Sequence, residues 1–189
     1  MRAYHGTVVE NLKVLKPFHS PFSNYERPCV YLTTSSALAA LYIWSKPYKW
    51  LTFESGEDGT PIYIESFENS LAYFYKKVSG SIYTCKGNFI SKDPVGIASA
   101  VISHELVPVS SAEIIPDAYE YILHLESKNL MKIEHFRSLT EERKSANYNM
   151  VKNAILRLKL HEGIHPLSVF VQEIFPEIWS DTLAFLKQK

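Results

Sequence analysis

Val30-Tyr31-Leu32-Thr33, followed after a short polar link by Ala37-Leu38-Ala39-Ala40-Leu41-Tyr42, is the stretch that decides the fold. The first block combines β-branched and aromatic residues and predicts a strand. The second block consists largely of strong helix formers, and Thr34 or Ser35 supplies the N-cap. Upstream, residues 3–5 predict another short strand, which Gly6 and Thr7 follow. Strands that lead directly into short helices predict an α+β fold.

The rest of the first two thirds predicts further strands with few helices. Apolar residues at Val8, Leu12 and Leu15 predict a short helix that ends before Pro17. Residues 51–53 and 62–67 predict a hairpin around Gly56-Glu57-Asp58-Gly59. Three more strands are predicted at residues 81–85, 104–109 and 112–116.

The last third predicts helices. Ser138-Leu139-Thr140-Glu141 is a capping-box pattern that predicts the start of one helix, and Pro166 predicts the first turn of another. We therefore expect an α+β domain over residues 1–125 and a helical appendage, packed on it, over residues 126–189. The apolar stripe from Pro166 to Phe185 either closes the protein's own core or contacts a partner, and the first interpretation is favoured.

Composition excludes several classes of function. The 189 residues carry 20 basic and 20 acidic side chains, so no field of one sign favours nucleic acid or an anionic membrane. Two cysteines are too few for a disulfide framework, and the N-terminus lacks a signal-peptide pattern. These features predict a cytoplasmic protein that does not bind membranes, although a toxin exported by a signal-independent route would share them.

A histidine-glycine pair upstream of two tyrosines outlines a pocket for a flat ring and a ribose. The order His5-Gly6, then Tyr31, then Tyr42 one helix later, then Glu105 heading an apolar run, resembles the ADP-ribosyltransferase superfamily. The resemblance is to the His-Tyr-Glu branch, which diphtheria-type toxins and poly(ADP-ribose) polymerases share. It covers roughly residues 1–125 and predicts the sheet with short helices that is typical of that superfamily.

The resemblance implies an enzyme that uses NAD as co-substrate and needs no metal. His5, Tyr31 and Glu105 would be catalytic, whereas Gly6, Thr7 and Tyr42 would bind the cofactor. Breaking the bond between nicotinamide and ribose forms a sugar cation, which a carboxylate such as Glu105 stabilises. Two tyrosine rings can stack on the two faces of nicotinamide, and a glycine lets its backbone approach the carboxamide.

The acceptor stays open, as does the choice between single addition, repeated addition and NAD hydrolysis. Arginine-directed members resemble one another in a Glu or Gln two positions before the catalytic Glu, where this chain has Ser103. Arginine modification is therefore disfavoured, and the neutral charge favours a protein acceptor over nucleic acid. RNA 2′-phosphate transfer would need clustered arginines, and the domain's candidates are Arg2 and Arg27. A catalytically degenerate module that binds NAD is the main alternative.

One competing motif indicates a zinc metallopeptidase. His161-Glu162-Gly163-Ile164-His165 matches H-E-x-x-H, which on a continuous helix presents two imidazoles to zinc. Gly163 is typical of a helix end, and Pro166 disfavours helical geometry at the preceding residue. We therefore expect a break between the two histidines, with a new helix beginning at Pro166.

Overall fold

The computed structural model describes residues 1–20, 26–91 and 99–188. Over these ranges the chain is α+β, as predicted, and it divides into two compact units. The sheet unit comprises Met1–Ser45, Thr52–Ile64 and Ser70–Ile133. The helical unit comprises Lys46–Leu51, Glu65–Asn69 and Glu134–Lys189.

Most of the sheet unit is one curled antiparallel sheet. Its strands lie in the order β2-β8-β6-β1-β3-β7, and a smaller sheet has the order β4-β5-β9. The strands are β1 (Arg2–Thr7), β2 (Val14–Leu15), β3 (Val30–Thr33), β4 (Phe53–Ser55), β5 (Pro61–Ile64), β6 (Gly80–Lys86), β7 (Ala100–Ser103), β8 (Val107–Ile115) and β9 (Lys132–Glu134). Three helices accompany them: α1 (Ser36–Ala40), α2 (Ser70–Tyr75) and α3 (Ala118–Ser127).

The predicted strand and helix both form at residues 30–40, but the helix α1 ends at Ala40, so Leu41 and Tyr42, which were predicted inside it, lie in the turn that follows. The predicted strand is β3, and Ser35 caps α1 by accepting a hydrogen bond from the Leu38 N–H at 3.1 Å. The predicted hairpin is also present, since β4 pairs antiparallel with β5 and Gly59 takes a positive φ of 80° in the turn. A glycine adopts this conformation without the steric cost that a Cβ brings.

The helix predicted from Val8 to Leu15 is wrong. Asn11 takes a left-handed φ of 60°, and Val14 and Leu15 form β2, which pairs with Pro108 and Val107 of β8. Three apolar residues at helical spacing predicted the helix, but the pairing of Leu15 with β8 buries its side chain in the sheet core, where it is 5% exposed. Local periodicity was overridden by tertiary pairing.

The late strands also differ from the prediction. Residues 104–109 and 112–116 were expected as separate strands, but β8 runs continuously from Val107 to Ile115 along β6. The strand β7 was not predicted, and it pairs with β3 on the other side of the sheet. His104, Glu105 and Leu106 consequently lie in the connection between β7 and β8, not at the head of a strand.

One face of the large sheet carries a hydrophobic core in which strands distant in sequence meet. Its buried members are Ala3, Leu15, Val30, Leu32, Cys85, Val101 and Val107. Val30 and Leu32 show the alternation of a strand within this face, and the other face is also buried, with Ile82 and Ile102 each 2% exposed. Burial raises the pKa of the Cys85 thiol to about 11, so this thiol stays neutral at physiological pH.

The helical unit contains α4 (Glu141–Arg157), α5 (Pro166–Ile174) and α6 (Pro176–Lys187), with 3₁₀ turns at Phe136–Ser138 and Leu160–Glu162. Pro166 opens α5, which confirms that prediction. The predicted cap at Ser138 is wrong: Thr140 caps α4, and its hydroxyl accepts from the Arg143 N–H at 3.3 Å. The Ser138 hydroxyl donates instead to the His135 carbonyl at 2.9 Å.

An aromatic cluster forms the core of the helical unit. Phe170 is 2% exposed, and its ring packs against those of Tyr48, Trp50, Phe67 and Phe175 at centroid distances of 4.8, 5.4, 6.0 and 6.1 Å. Phe175 is 7% exposed, so this part of the apolar stripe closes the unit's own core. Among the described residues, no helix combines the length and apolarity needed to cross a membrane.

Candidate functional site

His5 lies on the central strand β1 and makes a direct link to β3. Its Nδ1 is 3.0 Å from the carbonyl oxygen of Tyr31, and the ring is half-buried. A carbonyl oxygen only accepts hydrogen bonds, so Nδ1 carries the proton, and in the neutral ring Nε2 is then an acceptor. The contact joins the His5 ring to the backbone of Tyr31, 26 positions away in sequence, while alternation points the His5 side chain to the face of the sheet opposite to that of Gly6 and Tyr31.

The strand register places several predicted residues on one face of the sheet. Tyr4 of β1 lies opposite Thr33 of β3, and directly opposed residues share a face. Because side chains alternate along a strand, Gly6 shares the face of Tyr4, and Tyr31 shares that of Thr33. Gly6 and Tyr31 therefore lie on the same face of the sheet, on neighbouring strands.

The helix α1 packs tightly over this face at Gly6. A Cβ added to Gly6 would lie 1.8 Å from the carbonyl oxygen of Ala39 and 3.5 Å from the Cβ of Tyr42. Gly6 is thus required for the close approach of α1, a packing reason that is separate from any contact with nicotinamide. The same approach brings Tyr42 beside Gly6, and burial raises the pKa of the Tyr42 phenol, which keeps it neutral.

Tyr31 is half-buried and packs against a residue that the sequence did not single out. The ring of Phe18 meets the Tyr31 ring edge-on, with centroids 5.2 Å apart and an interplanar angle of 65°. Phe18 is 51% exposed and is held by reciprocal 3.0 Å backbone hydrogen bonds with Cys29. A single aromatic residue outside any predicted strand carries no periodic signal that would reveal this contact.

Thr7 ends β1 with a local hydrogen bond. Its hydroxyl oxygen accepts from the Val9 N–H at 3.2 Å, and its carbonyl oxygen would lie 2.5 Å from a Cβ added to Gly80. In this arrangement Thr7 shapes the turn that leaves β1. It lies next to Gly6 in sequence, but alternation points its side chain to the opposite face of the sheet.

Glu105 is exposed in the connection between β7 and β8. Its N–H donates to the Ser103 hydroxyl oxygen at 3.1 Å, and that hydroxyl is also 3.1 Å from the Glu105 carbonyl oxygen. Ile102 of β7 lies directly opposite Tyr31 of β3, and Glu105 follows Ile102 by three residues. Glu105 was predicted at the start of a strand, and this prediction is wrong because β8 begins only at Val107.

His104 ties this connection to the beginning of β3. Its Nδ1 lies 3.1 Å from the Pro28 carbonyl oxygen and 3.5 Å from the Cys29 sulfur. Burial raises the pKa of the Cys29 thiol, so the pair does not constitute an activated thiolate. The contact holds Glu105 close to the end of the sheet from which β3 begins.

The competing H-E-x-x-H motif does not occupy one helix. A 3₁₀ turn ends at Glu162, Gly163 is extended, and His165 caps α5 by accepting from the Leu167 N–H at 3.1 Å through Nδ1. The predicted break between His161 and His165 is confirmed. The described parts of the chain contain no group of three or more potential metal-ligating His, Cys, Asp or Glu residues.

A polar concavity of about 360 Å³ in the helical unit was not predicted. It is lined by Glu65, Glu68, Asn69, His135 and Arg137. Glu65 is 5% exposed, accepts from the Phe136 N–H at 3.1 Å and lies 3.4 Å from His135 Nδ1. Arg137 pairs with Glu68. These bonds hold the 3₁₀ turn at Phe136 to the segment after β5, which accounts for the buried carboxylate structurally.

Comparisons of the chain with protein-family models, with curated proteins and with solved structures find no match.

Proposed function

We propose that this protein is an NAD-dependent ADP-ribosyltransferase of the His-Tyr-Glu branch, with its catalytic fold in the sheet unit. The observation that carries the proposal is the 3.0 Å contact between His5 Nδ1 and the Tyr31 carbonyl oxygen. It joins the His5 ring to the backbone of Tyr31 on the neighbouring strand and orients the imidazole with Nε2 as its acceptor. That acceptor suits a ribose hydroxyl.

The arrangement of Gly6, Tyr31 and Tyr42 supports a site for nicotinamide. Tyr31 shares a face of the sheet with Gly6, and Tyr42 lies beside Gly6 through α1. The two half-buried phenol rings offer apolar surfaces on which a flat ring can stack. Phe18 extends the apolar wall next to Tyr31.

The proposed reaction breaks the bond between C1′ of the ribose and the nicotinamide nitrogen. The bonding electrons go to the nicotinamide ring, which leaves neutral, and a nucleophile of the acceptor forms a bond to C1′ and releases a proton. His5 would hold the ribose hydroxyls, and the Glu105 carboxylate would stabilise the positive charge on the sugar. The acceptor that we favour is a protein, and we place the activity in the cytoplasm.

A specific observation favours a second candidate, a module of the same fold that binds NAD without turnover. Glu105 is exposed in a connection and not on a strand, and its backbone is bonded to Ser103. Within residues 1–20, 26–91 and 99–188, no hydrogen bond joins the Glu105 carboxylate to His5 or Tyr31. A carboxylate in this position must turn towards the bound ribose before it can stabilise a sugar cation.

The test is to mix the purified protein with NAD and to follow free nicotinamide by NMR. Glu105→Gln keeps the shape of the side chain and removes its charge, and Glu10→Gln is a matched control at another exposed glutamate. We expect a loss of roughly 100-fold or more in release for Glu105→Gln and no loss for the control. Binding of NAD without release by the native protein would favour the second candidate. Absence of both binding and release would overturn the family proposal.

A further inference from the structure

A second concavity, in the sheet unit, lies away from the residues proposed to bind nicotinamide. It has a volume of about 380 Å³ and is lined by Met1, Arg2, Lys86, Gly87 and Asn88. Arg2 begins β1 and Lys86 ends β6. Among the described residues, this lining contains two cationic side chains and one side-chain amide but no carboxylate.

The strand register sets the two cations directly against each other. Arg2 of β1 lies opposite Lys86 of β6, and opposed side chains have Cβ atoms about 4.5–5.5 Å apart. Like charges at this separation repel and destabilise the pairing. Among the salt bridges of the described residues, neither Arg2 nor Lys86 has an acidic partner. An anion held between them would supply the missing counter-charge.

The backbone keeps this pair in place. The Gly87 N–H donates to the Met1 carbonyl oxygen at 3.1 Å, which extends the β1 and β6 pairing beyond Arg2 and Lys86. The two cations are thus held opposite each other by the hydrogen-bonded pairing of β1 with β6. Asn88 adds an amide N–H₂ donor at the rim, and all three groups donate to the oxygens of an anion.

We infer that Arg2, Lys86 and Asn88 form a binding site for a phosphate or diphosphate group. A planar guanidinium binds two phosphate oxygens at once, while an ammonium acts as a point charge beside it. The pairing of one Arg with one Lys suits a ligand with several oxygens and two or more negative charges. The inference is independent of the proposed enzymatic activity, because it concerns an anion and not the chemistry at Glu105.

The experiment is an NMR titration of the native protein with sodium pyrophosphate at constant ionic strength, with sodium chloride as the balancing salt. We expect saturable shifts of the Gly87 and Asn88 amide signals. Affinity should fall at least tenfold in the double variant Arg2→Gln/Lys86→Gln. The control Lys13→Gln/Lys76→Gln removes two other exposed charges and should keep native affinity. Chemical shift changes that do not saturate, or an affinity that falls equally in both double variants, would contradict the proposed phosphate site.

A charge reversal provides an independent check. Lys86→Glu converts the repulsive pair into an attractive one, so it should abolish pyrophosphate binding and raise the melting temperature at low salt. Lys76→Glu should do neither. A variant Lys86→Glu that still bound pyrophosphate with native affinity would contradict the inference.

NAD distinguishes the possible sources of the diphosphate. If NAD displaces pyrophosphate from Gly87 and Asn88, the group that binds belongs to a dinucleotide. If NAD binds elsewhere or not at all while pyrophosphate still saturates the site, the ligand is a separate phosphate compound. Both results support the phosphate site at Arg2, Lys86 and Asn88. If NAD does not displace pyrophosphate, the nicotinamide release assay decides whether the protein uses NAD.

Discussion

In the sheet unit the approach of α1 to β1 depends on Gly6, a residue without a side chain, whereas the core of the helical unit is built around the large ring of Phe170. Gly6 allows α1 to approach β1 so closely that an added methyl group would overlap the Ala39 carbonyl oxygen. Phe170 fills the space between other aromatic rings of its unit. The comparison teaches that the first unit is sensitive to added atoms and the second to removed ones.

The difference follows from how each unit is assembled. The large sheet pairs strands that are distant in sequence, such as β1 with β6, and backbone approach decides which side chains fit between sheet and helix. The helical unit packs short helices through their apolar stripes, and the volume of the side chains fills the gaps between them.

The largest expected effect is that of Phe170→Ala. Removal of a fully buried ring from the aromatic cluster should lower the free energy of unfolding by about 3–5 kcal/mol. Urea denaturation followed by tryptophan fluorescence measures it. The control Val169→Ala, at a neighbour that is 41% exposed, should cost much less. Equal losses in both variants would show that the ring is not the core of its unit.

Gly6→Ala tests whether an added side-chain atom destabilises the sheet unit. The new methyl group should force α1 away from β1 and lower the free energy of unfolding by about 3 kcal/mol, the upper part of the usual range for overpacking. Gly163→Ala is the matched control, because its backbone is extended and no atom lies within 4 Å of an added Cβ. Thermal unfolding that is unchanged by Gly6→Ala would refute the close approach of α1.

Alkaline pH should weaken the sheet unit through Cys85. Its pKa is raised by burial from 9.0 to about 11, so between these values the unfolded state loses a proton that the folded state keeps. The contribution of Cys85 to the free energy of unfolding is therefore present below pH 9, and roughly 2–3 kcal/mol of it is lost as the pH rises to 11.

Cys85→Ala isolates this contribution. Urea denaturation of both proteins at pH 8 and pH 11 should show a smaller alkaline loss in the variant, because the variant has no thiol to ionise. Parallel losses in the two proteins would mean that the Cys85 thiol is not sheltered in the folded state.

The smallest effect concerns the cap of α4. Thr140→Ala should lower the free energy of unfolding of the helical unit by about 1 kcal/mol, because the Arg143 N–H loses its acceptor. Ser138→Ala should cost less, since its hydroxyl serves only the His135 carbonyl in an exposed turn. Chemical denaturation measures the free energy of unfolding of both variants. A larger loss for Ser138→Ala than for Thr140→Ala would indicate that Ser138 is the cap, as the sequence predicted.

Much of the candidate site was accessible to sequence reasoning, but not the position of Glu105. The strand at Tyr31, the cap at Ser35 and the helix that brings Tyr42 beside Gly6 follow from propensity and capping, which act within a few residues. Glu105 was expected on a strand because an apolar run follows it. The strand β8 begins at Val107 because this residue pairs with Leu15 of β2, and β6 pairs with β8 from Val109 onwards.

Other features had no sequence signal at all. The edge-on contact of Phe18 with Tyr31 and the opposition of Arg2 to Lys86 each depend on which strands are neighbours and in what register. A shift of one residue in the pairing of β1 with β6 would change the opposed pairs and turn alternate side chains to the other face.

Local sequence preferences alone predicted the α+β class, the strand at residues 30–33, the presence of the short helix after it, and the helix that begins at Pro166. These depend on local preferences: β-branched and aromatic residues in strands, a serine cap, and a proline in the first turn. Only the tertiary structure decided that His5 reaches the Tyr31 carbonyl, that Gly6 lies under α1 and that Arg2 faces Lys86. Such contacts join residues far apart in the chain, and their energies depend on register and packing, which no short window of sequence contains.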